Sequence, residues 1–173
     1  MEIIATPWRM AYIEGASGSD DCAFCKLLAA PGSDAERAIV HRGEQAFLVM
    51  NIYPYTPGHL LAVPYQHAAS PGALPPGAHA ELLSLCRLGE LLLRRAFSCR
   101  SVHVGANLGR LAGAGVPDHV HYHIVAWPDG EVWDRCCAAL MMPESIADTR
   151  ARLATLLPEL LGREVQAPPS GSA

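Results

Sequence analysis

Three histidines alternate with apolar residues between positions 118 and 127, where the segment 119–125 reads HVHYHIV. Successive side chains of an extended strand point to opposite faces, so His119, His121 and His123 share one face. The alternating residues Val120, Tyr122 and Ile124 would then face the core. The pattern therefore predicts a strand with one face for chemistry and one face for packing.

A glycine-rich loop precedes this strand. Residues 105–115 read GANLGRLAGAG, and their four glycines let backbone N–H groups approach a ligand closely. Three nitrogen bases beside such a loop indicate a site that handles phosphate. Alternate histidines on one strand can also bind zinc, so a metal site formed by these histidines remains an alternative interpretation at this point. A merely exposed histidine strand is disfavoured because the residues between the histidines are all apolar.

Composition narrows the class of protein. Of the 173 residues, 50% are hydrophobic and 17% are charged, which predicts one globular domain over residues 1–165. Residues 166–173 are expected to form a disordered tail. The net charge of -4 argues against nucleic acid as a partner. No run of eighteen apolar residues and no signal-like N-terminus occur, so we expect a cytoplasmic protein without membrane contact.

The cysteines need an explanation other than disulfides, because cytoplasmic thiols stay reduced. Cys22 and Cys25 have the C-x-x-C spacing of metal ligands. A redox role is disfavoured because no thioredoxin-like segment follows the two cysteines. A metal-free, buried thiol pair remains an alternative to a metal site. Cys86 and Cys99 lie in or just after an apolar helix and are predicted to be packing residues.

Periodicity and turn residues predict an α+β fold with an antiparallel sheet, a long helix and a C-terminal helix. We expect strands at 38–41, 46–52, 59–63, 102–106 and 120–126, and helices at 78–97 and 144–157. The joins between neighbouring strands are short, as in hairpins. His103, in the strand before the glycine loop, is predicted to be a core or interface histidine rather than a ligand.

These residues resemble the histidine triad superfamily. The signature of that superfamily is three alternating histidines, and residues 119–125 match it in full. A second stretch, PGHLLAVP at 57–64, is similar to the family segment that carries a fourth histidine, here His59. The resemblance covers roughly residues 7–157 and implies the histidine triad fold.

Three further segments are similar to the diadenosine tetraphosphate phosphorylases of the mycobacterial type. They are WRMAY at 8–12, NIYPY at 51–55 and NLG at 107–109. The resemblance implies an enzyme that attacks the α-phosphorus of a dinucleoside polyphosphate or a nucleoside phosphoramidate and holds the nucleotide briefly on a histidine. A nucleotide-binding or scaffold protein of low turnover on the same fold is the alternative.

Imidazole is a good nucleophile near pH 7, because its unperturbed pKa is about 6.5. His121 is the middle histidine of the triad, and we predict that it is the nucleophile. His123 and His59 are expected to donate hydrogen bonds to phosphate oxygens as charge develops on them.

The resemblance also assigns the nucleotide-binding residues. Asn51 matches a position that holds a ribose hydroxyl. The phosphate is expected to be held by Asn107 and by the loop that contains Gly113, Gly115 and Val116. Gly115 is a departure, because relatives often carry a Gln or Ser there that contacts the scissile phosphate or the leaving-group oxygen.

Two histidines match zinc-binding positions of metal-bearing relatives. His67 and His119 would join Cys22 and Cys25 in a closed Cys₂His₂ site with a structural zinc ion.

The resemblance further implies a homodimer. The helix at 78–97 carries more leucines than one sheet face can cover: 82, 83, 85, 88, 91, 92 and 93. An exposed surplus would be buried in a two-fold contact, with Leu88 or its neighbours near the axis.

Overall fold

A computed structural model describes residues 22–127 and 144–162. Over these residues the chain forms three helices, five strands and two short 3₁₀ turns at Pro71–Ala73 and Arg110–Ala112. The helices are α1 (Ala23–Ala29), α2 (Pro76–Phe97) and α3 (Ile146–Leu161). The strands are β1 (Ile39–Arg42), β2 (Ala46–Met50), β3 (Leu60–Pro64), β4 (Ser101–Gly105) and β5 (Tyr122–Trp127).

The five strands form one antiparallel sheet in the order β1-β2-β3-β5-β4. The α+β class and the antiparallel sheet are therefore confirmed. In register, His123 of β5 lies between Leu61 of β3 and Gly105 of β4. The sheet thus brings the histidine segment beside the strand that follows His59 and beside the start of the glycine loop.

Both faces of the sheet are covered. Helices α2 and α3 pack on the first face, over a core that includes Leu48, Leu60, Val120 and Ile124. The second face carries Phe47, Val49, Leu61 and Val63, and Phe24 of α1 packs on it. Strands β2 and β3 are buried at every position, which matches their unbroken apolar sequences.

Helix α1 is not among the helices predicted from the sequence, which assigns Cys22 and Cys25 only the spacing of metal ligands. Its apolar residues Phe24, Leu27 and Leu28 have the i, i+3, i+4 spacing of a single helical face. Seven residues are too few for a stable isolated helix, so packing on the sheet must stabilise α1.

The expected division of the histidine segment between two faces is confirmed. Val120 and Ile124 belong to the first-face core, whereas the rings of His119 and His121 contact Phe24 on the second face. Strand β5 begins later than the predicted strand, because Val120 donates its N–H to the Ala68 carbonyl at 2.7 Å. The alternation of faces nevertheless extends through residues 119–121.

The prediction of a leucine surplus on the long helix is wrong. Five of the seven leucines are buried within the chain: 82, 85, 88, 92 and 93. Helix α3 packs beside α2 and covers the side that the sheet leaves open. Leu88 is only 9% exposed and offers little surface to a second copy, while Leu83 remains 50% exposed. A two-fold contact near Leu88 or its neighbours stays a prediction.

Gly58 sets the turn that delivers His59, and its replacement is expected to be costly. It has φ +78°, and a Cβ there would lie 2.4 Å from Cε2 of Phe97. Gly58→Ala should lower the free energy of unfolding by about 3 kcal/mol, through backbone strain and overpacking together. Urea denaturation measures this loss.

Gly113→Ala is the matched control for Gly58→Ala. Gly113 has φ +87°, but its nearest neighbour would be Asn107 Nδ2 at 3.6 Å, an ordinary contact. Gly113→Ala should therefore lower the free energy of unfolding only by the backbone strain, about 1 kcal/mol. Equal losses in the two variants would show that the end of α2 moves away from residue 58 at no cost.

No helix among the described residues is long and apolar enough to cross a membrane. The single domain over 1–165 stays a prediction. The tail at 166–173 and the segment at 8–12 lie outside the described residues.

Candidate active site and metal site

His121 is held in one tautomer by its own strand. Its Nδ1 lies 2.9 Å from the His119 carbonyl oxygen, which can only accept, so Nδ1 carries the proton. The lone pair of the neutral ring is therefore on Nε2. Burial lowers the pKa of His121, and the hydrogen bond to the carbonyl offsets part of that shift. The ring is neutral at pH 7, which is the state a nucleophile requires.

His59 and His123 form a directed hydrogen-bond chain. The Tyr55 backbone N–H donates to His59 Nδ1 at 3.1 Å, so this nitrogen holds a lone pair. The proton of His59 is therefore on Nε2, which donates to His123 Nδ1 at 2.9 Å. The proton of neutral His123 is in turn on Nε2. His59 is fully buried, and both of its ring nitrogens bond to protein groups, so it supports His123 from behind.

The loop between β2 and β3 positions His59. Thr56 is buried, and its Oγ1 donates to the Ala126 carbonyl at 2.8 Å, which ties the loop to β5. Tyr55 stacks on the His59 ring with centroids 4.8 Å apart. Asn51 ends β2 earlier than predicted, because its Oδ1 accepts from the Tyr53 N–H at 2.9 Å and turns the chain. Its amide nitrogen lies 3.3 Å from His59 Nδ1.

A cavity of about 200 Å³ opens beside His121 and His123. Its walls are mainly apolar and come from α1, β2, β3 and the glycine loop. Of the predicted nucleotide-binding residues, the structure brings four to this cavity: Asn51, Gly113, Gly115 and Val116. Asn107 instead lines a neighbouring groove on the other side of His123. An apolar cavity with a few polar groups at one end is typical of a small-molecule site.

The four predicted metal ligands lie together at the edge of this site. The ligand atoms of Cys22, Cys25, His67 and His119 are all within 4.8 Å of one another. The Sγ of Cys22 lies 3.2 Å from His119 Nδ1, and the Sγ of Cys25 lies 3.4 Å from His67 Nδ1. This set could hold a metal ion, with two of its members exposed and His119 buried.

The orientation of His119 suits this role. Its Nε2 donates to the Pro64 carbonyl at 2.9 Å, so the lone pair is on Nδ1, the atom that faces the two thiols. A second hydrogen bond of this kind, which fixes the tautomer of a ligand, is usual at metal sites. Burial also lowers the pKa of His119, which keeps the imidazole neutral.

Phe24 connects the metal cluster with the nucleophile, and sequence reasoning missed it. It stands between Cys22 and Cys25, and its ring centroid lies 5.3 Å from that of His119 and 5.0 Å from that of His121. It also lines the cavity. Its position between the two cysteines of the C-x-x-C motif was the sequence signal that could have placed it next to the metal cluster. His103 is exposed and lines the groove with Asn107, so of its predicted core or interface position the core is wrong and the interface stays a prediction.

Comparison with known proteins gives relatives of one kind. The HIT domain family matches residues 33–129. The AP-4-A phosphorylase of Mycobacterium tuberculosis is 32% identical over 158 residues, which cover 87% of this chain and 81% of that protein. The adenosine 5'-monophosphoramidase of Schizosaccharomyces pombe is 31% identical over 112 residues, covering 64% of this chain and 77% of that protein.

The fold also matches solved structures. A zinc-bound histidine triad family protein from Mycobacterium smegmatis superposes with a TM-score of 0.67 at 22% identity. The match covers 84% of this chain and 99% of that one. The domain match, the phosphorylase relative and the paired histidine motifs agree with one another. The chain therefore belongs to the histidine triad family.

Proposed function

We propose that this protein is a nucleotidyl transferase or hydrolase that cleaves a dinucleoside polyphosphate or a nucleoside phosphoramidate at the α-phosphate. The observation that carries the proposal is the hydrogen bond from His121 Nδ1 to the His119 carbonyl. It leaves the lone pair of the ring on Nε2, at the wall of the largely apolar cavity of about 200 Å³, the nucleoside cavity of this proposal. The relatives named for AP-4-A phosphorylase and adenosine 5'-monophosphoramidase support the same class of reaction.

The reaction has two displacements. His121 Nε2 forms a bond to the α-phosphorus, and the bond from phosphorus to the leaving oxygen or nitrogen breaks with its electron pair. The N–H on His123 Nε2 donates to the phosphate oxygens or to the leaving atom as charge develops there. Water or inorganic phosphate then displaces His121 and takes the nucleotide. The protein supplies position and hydrogen bonds in both steps.

His59 has a different role from the one expected of it. Because it donates to His123 rather than into the cavity, we propose that it is a positioning residue that acts through His123. Asn51 is proposed to hold the ribose, and the loop at Gly113, Gly115 and Val116 to hold the phosphate. The donors would be the amides of Gly115 and Val116, because the Gly113 N–H already donates to the Arg110 carbonyl at 2.9 Å. Asn107 would contact the phosphate from the neighbouring groove.

The metal in the cluster is proposed to be a structural zinc ion. Zinc prefers four tetrahedral sulfur and nitrogen ligands, which places sulfur and nitrogen about 3.6 Å apart. The distances from sulfur to imidazole nitrogen in the cluster are 3.2, 3.4 and 3.8 Å. Zinc binding needs reduced thiols, and all four described cysteines are free, which suits the cytoplasmic location we propose.

Product analysis tests the function. The protein is incubated with diadenosine tetraphosphate or with an adenosine phosphoramidate, with and without inorganic phosphate. AMP formed in both buffers indicates hydrolysis, and ADP formed only with phosphate indicates phosphorolysis. Binding of AMP without turnover of either substrate would contradict the enzyme and favour the nucleotide-binding protein.

We also propose a homodimer, now through the sheet edge rather than through the leucines of α2. Strand β4 has only β5 as a partner among the described strands, and its Val104 is 43% exposed. Light scattering at micromolar concentration should give twice the chain mass. Val104→Lys should shift the protein towards monomer, because a charge on an edge strand opposes pairing, while Val104→Thr should not. A monomer mass for the wild type would contradict the dimer.

A further inference from the structure

A second recess lies on the β4 side of His123. Its volume is about 560 Å³, within the range of small-molecule sites. Its walls come from β4, β5, the start of the glycine loop and Tyr55. His123 and Tyr55 line both this groove and the nucleoside cavity, so the two spaces meet at these side chains. Apart from Tyr55, Asn107 and His123, the residues that line the groove have no proposed role in binding the first nucleotide.

The sheet register creates the groove. Gly105 of β4 lies directly opposite His123 and has no side chain to fill the space. A Cβ at 105 would lie 3.0 Å from Nε2 of His103, so the His103 imidazole extends along the strand over Gly105. Because His103 is two residues from Gly105, its side chain is on the same face and diagonal to His123.

The lining has the chemistry of a nucleotide site. His103 is exposed and makes no hydrogen bond to a described residue, so its N–H is available to an anion. Asn107 adds an amide, and Tyr55 and Trp127 present aromatic surface on which a base can stack. None of the lining residues is acidic. Phosphate oxygens and an aromatic base would therefore both find partners here.

The position of the groove also fits a particular half of the substrate. In an in-line displacement the leaving group departs on the side of phosphorus away from His121. His123 stands between the nucleoside cavity and the groove, and its ring centroid is 4.9 Å from that of His121. A chain leaving the α-phosphate past His123 enters the groove. A small amine would leave most of the 560 Å³ empty.

We propose that the β4 groove binds the leaving half of a dinucleoside polyphosphate, a nucleoside di- or triphosphate, and that His103 donates to its phosphate oxygens. This inference rests on the proposed function and names its substrate class. His103 is then a specificity-determining residue, required for long leaving groups and not for short ones.

Steady-state kinetics on two substrates tests the groove. For His103→Ala, kcat/KM on diadenosine tetraphosphate should fall about tenfold, as expected for a lost hydrogen bond to a charged group. On an adenosine phosphoramidate with a small amine, the same variant should stay within about twofold of the wild type. His103→Gln, which keeps an N–H donor, should recover part of the loss. Gly105→Ala should resemble His103→Ala, because the added methyl displaces the imidazole.

Product inhibition gives a second measure on the same variants. The inhibition constant for ATP, the leaving half of diadenosine tetraphosphate, should rise about tenfold in His103→Ala, while that for AMP should not change. Val104→Thr is the control, since Val104 lies on the opposite face of β4. Equal losses on both substrates, or no loss on either, would overturn the proposal.

The same experiments separate this inference from the proposed function. If the wild type turns over neither substrate, the proposed function is wrong. Calorimetric titration with ATP then still tests whether the groove binds a nucleoside triphosphate. ATP binding that is weakened by His103→Ala and not by Val104→Thr would support it. ATP binding equal in both variants would overturn it.

Discussion

Replacement of His121 by alanine is expected to lower kcat/KM at least a thousandfold on every substrate that the protein turns over. A thousandfold loss corresponds to about 4 kcal/mol of barrier. The reason is that water alone, without a positioned nucleophile, must perform the displacement in one step. His121 is 5% exposed and its Nδ1 is held by the His119 carbonyl, so its Nε2 is fixed at the wall of the cavity.

Two further measurements show whether the loss is chemical. His121→Asn can keep the hydrogen bond to the His119 carbonyl but has no nucleophilic ring nitrogen, so it should be as inactive as the alanine variant while preserving the packing. The wild type denatured in alkali during turnover should carry a nucleotide on His121, detectable by mass spectrometry. His79→Ala, on the other side of the sheet, should retain activity. Substantial turnover by either His121 variant would contradict the assignment.

Removal of the metal is expected to lower the stability of the protein markedly. The protein purified without chelator should contain about one zinc ion per chain. Stripping it should lower the melting temperature by about 5–10 °C, since a ligand at a hundred times its dissociation constant contributes about 2.7 kcal/mol. The effect is large because the ion joins α1 to the loop after β3 and to the segment before β5.

Cysteine variants test the ligand set. Cys22→Ser and Cys25→Ser should each lose the zinc and show the lowered melting temperature without chelator. Cys99→Ala removes a buried thiol outside the cluster and should keep full zinc content. Cobalt substituted for zinc should give the absorption bands of a tetrahedral thiolate complex. A zinc-free protein with Cys22 and Cys25 open to alkylation in native buffer would overturn the metal site.

The sheet and the long helix could be predicted because their residues carry periodic signals. The alternation from His119 to Ile124 and the unbroken apolar runs of β2 and β3 fix which faces are buried. Helix α1 could not be predicted with the same security, since seven residues gain their stability from the sheet beneath them.

The errors in the site have a common origin in contacts between distant residues. The leucines of α2 seemed too many for one sheet, because nothing local shows that α3 packs beside α2. The exposure of His103 could not be predicted, because its sequence neighbours do not reveal that Gly105 opens a groove next to His123. The tautomers of His59 and His123 depend on the Tyr55 N–H, a contact that only the folded loop creates.

The alternation of faces along residues 119–124 has a consequence for how this protein can misfold. A slip of one residue against β3 would turn Val120 and Ile124 to the cavity and push the histidines into the hydrophobic core. Such a chain would lose its core and its nucleophile in the same event. A well-packed but inactive isomer with a one-residue slip is therefore excluded, because a molecule that slips in this way loses its stability together with its activity.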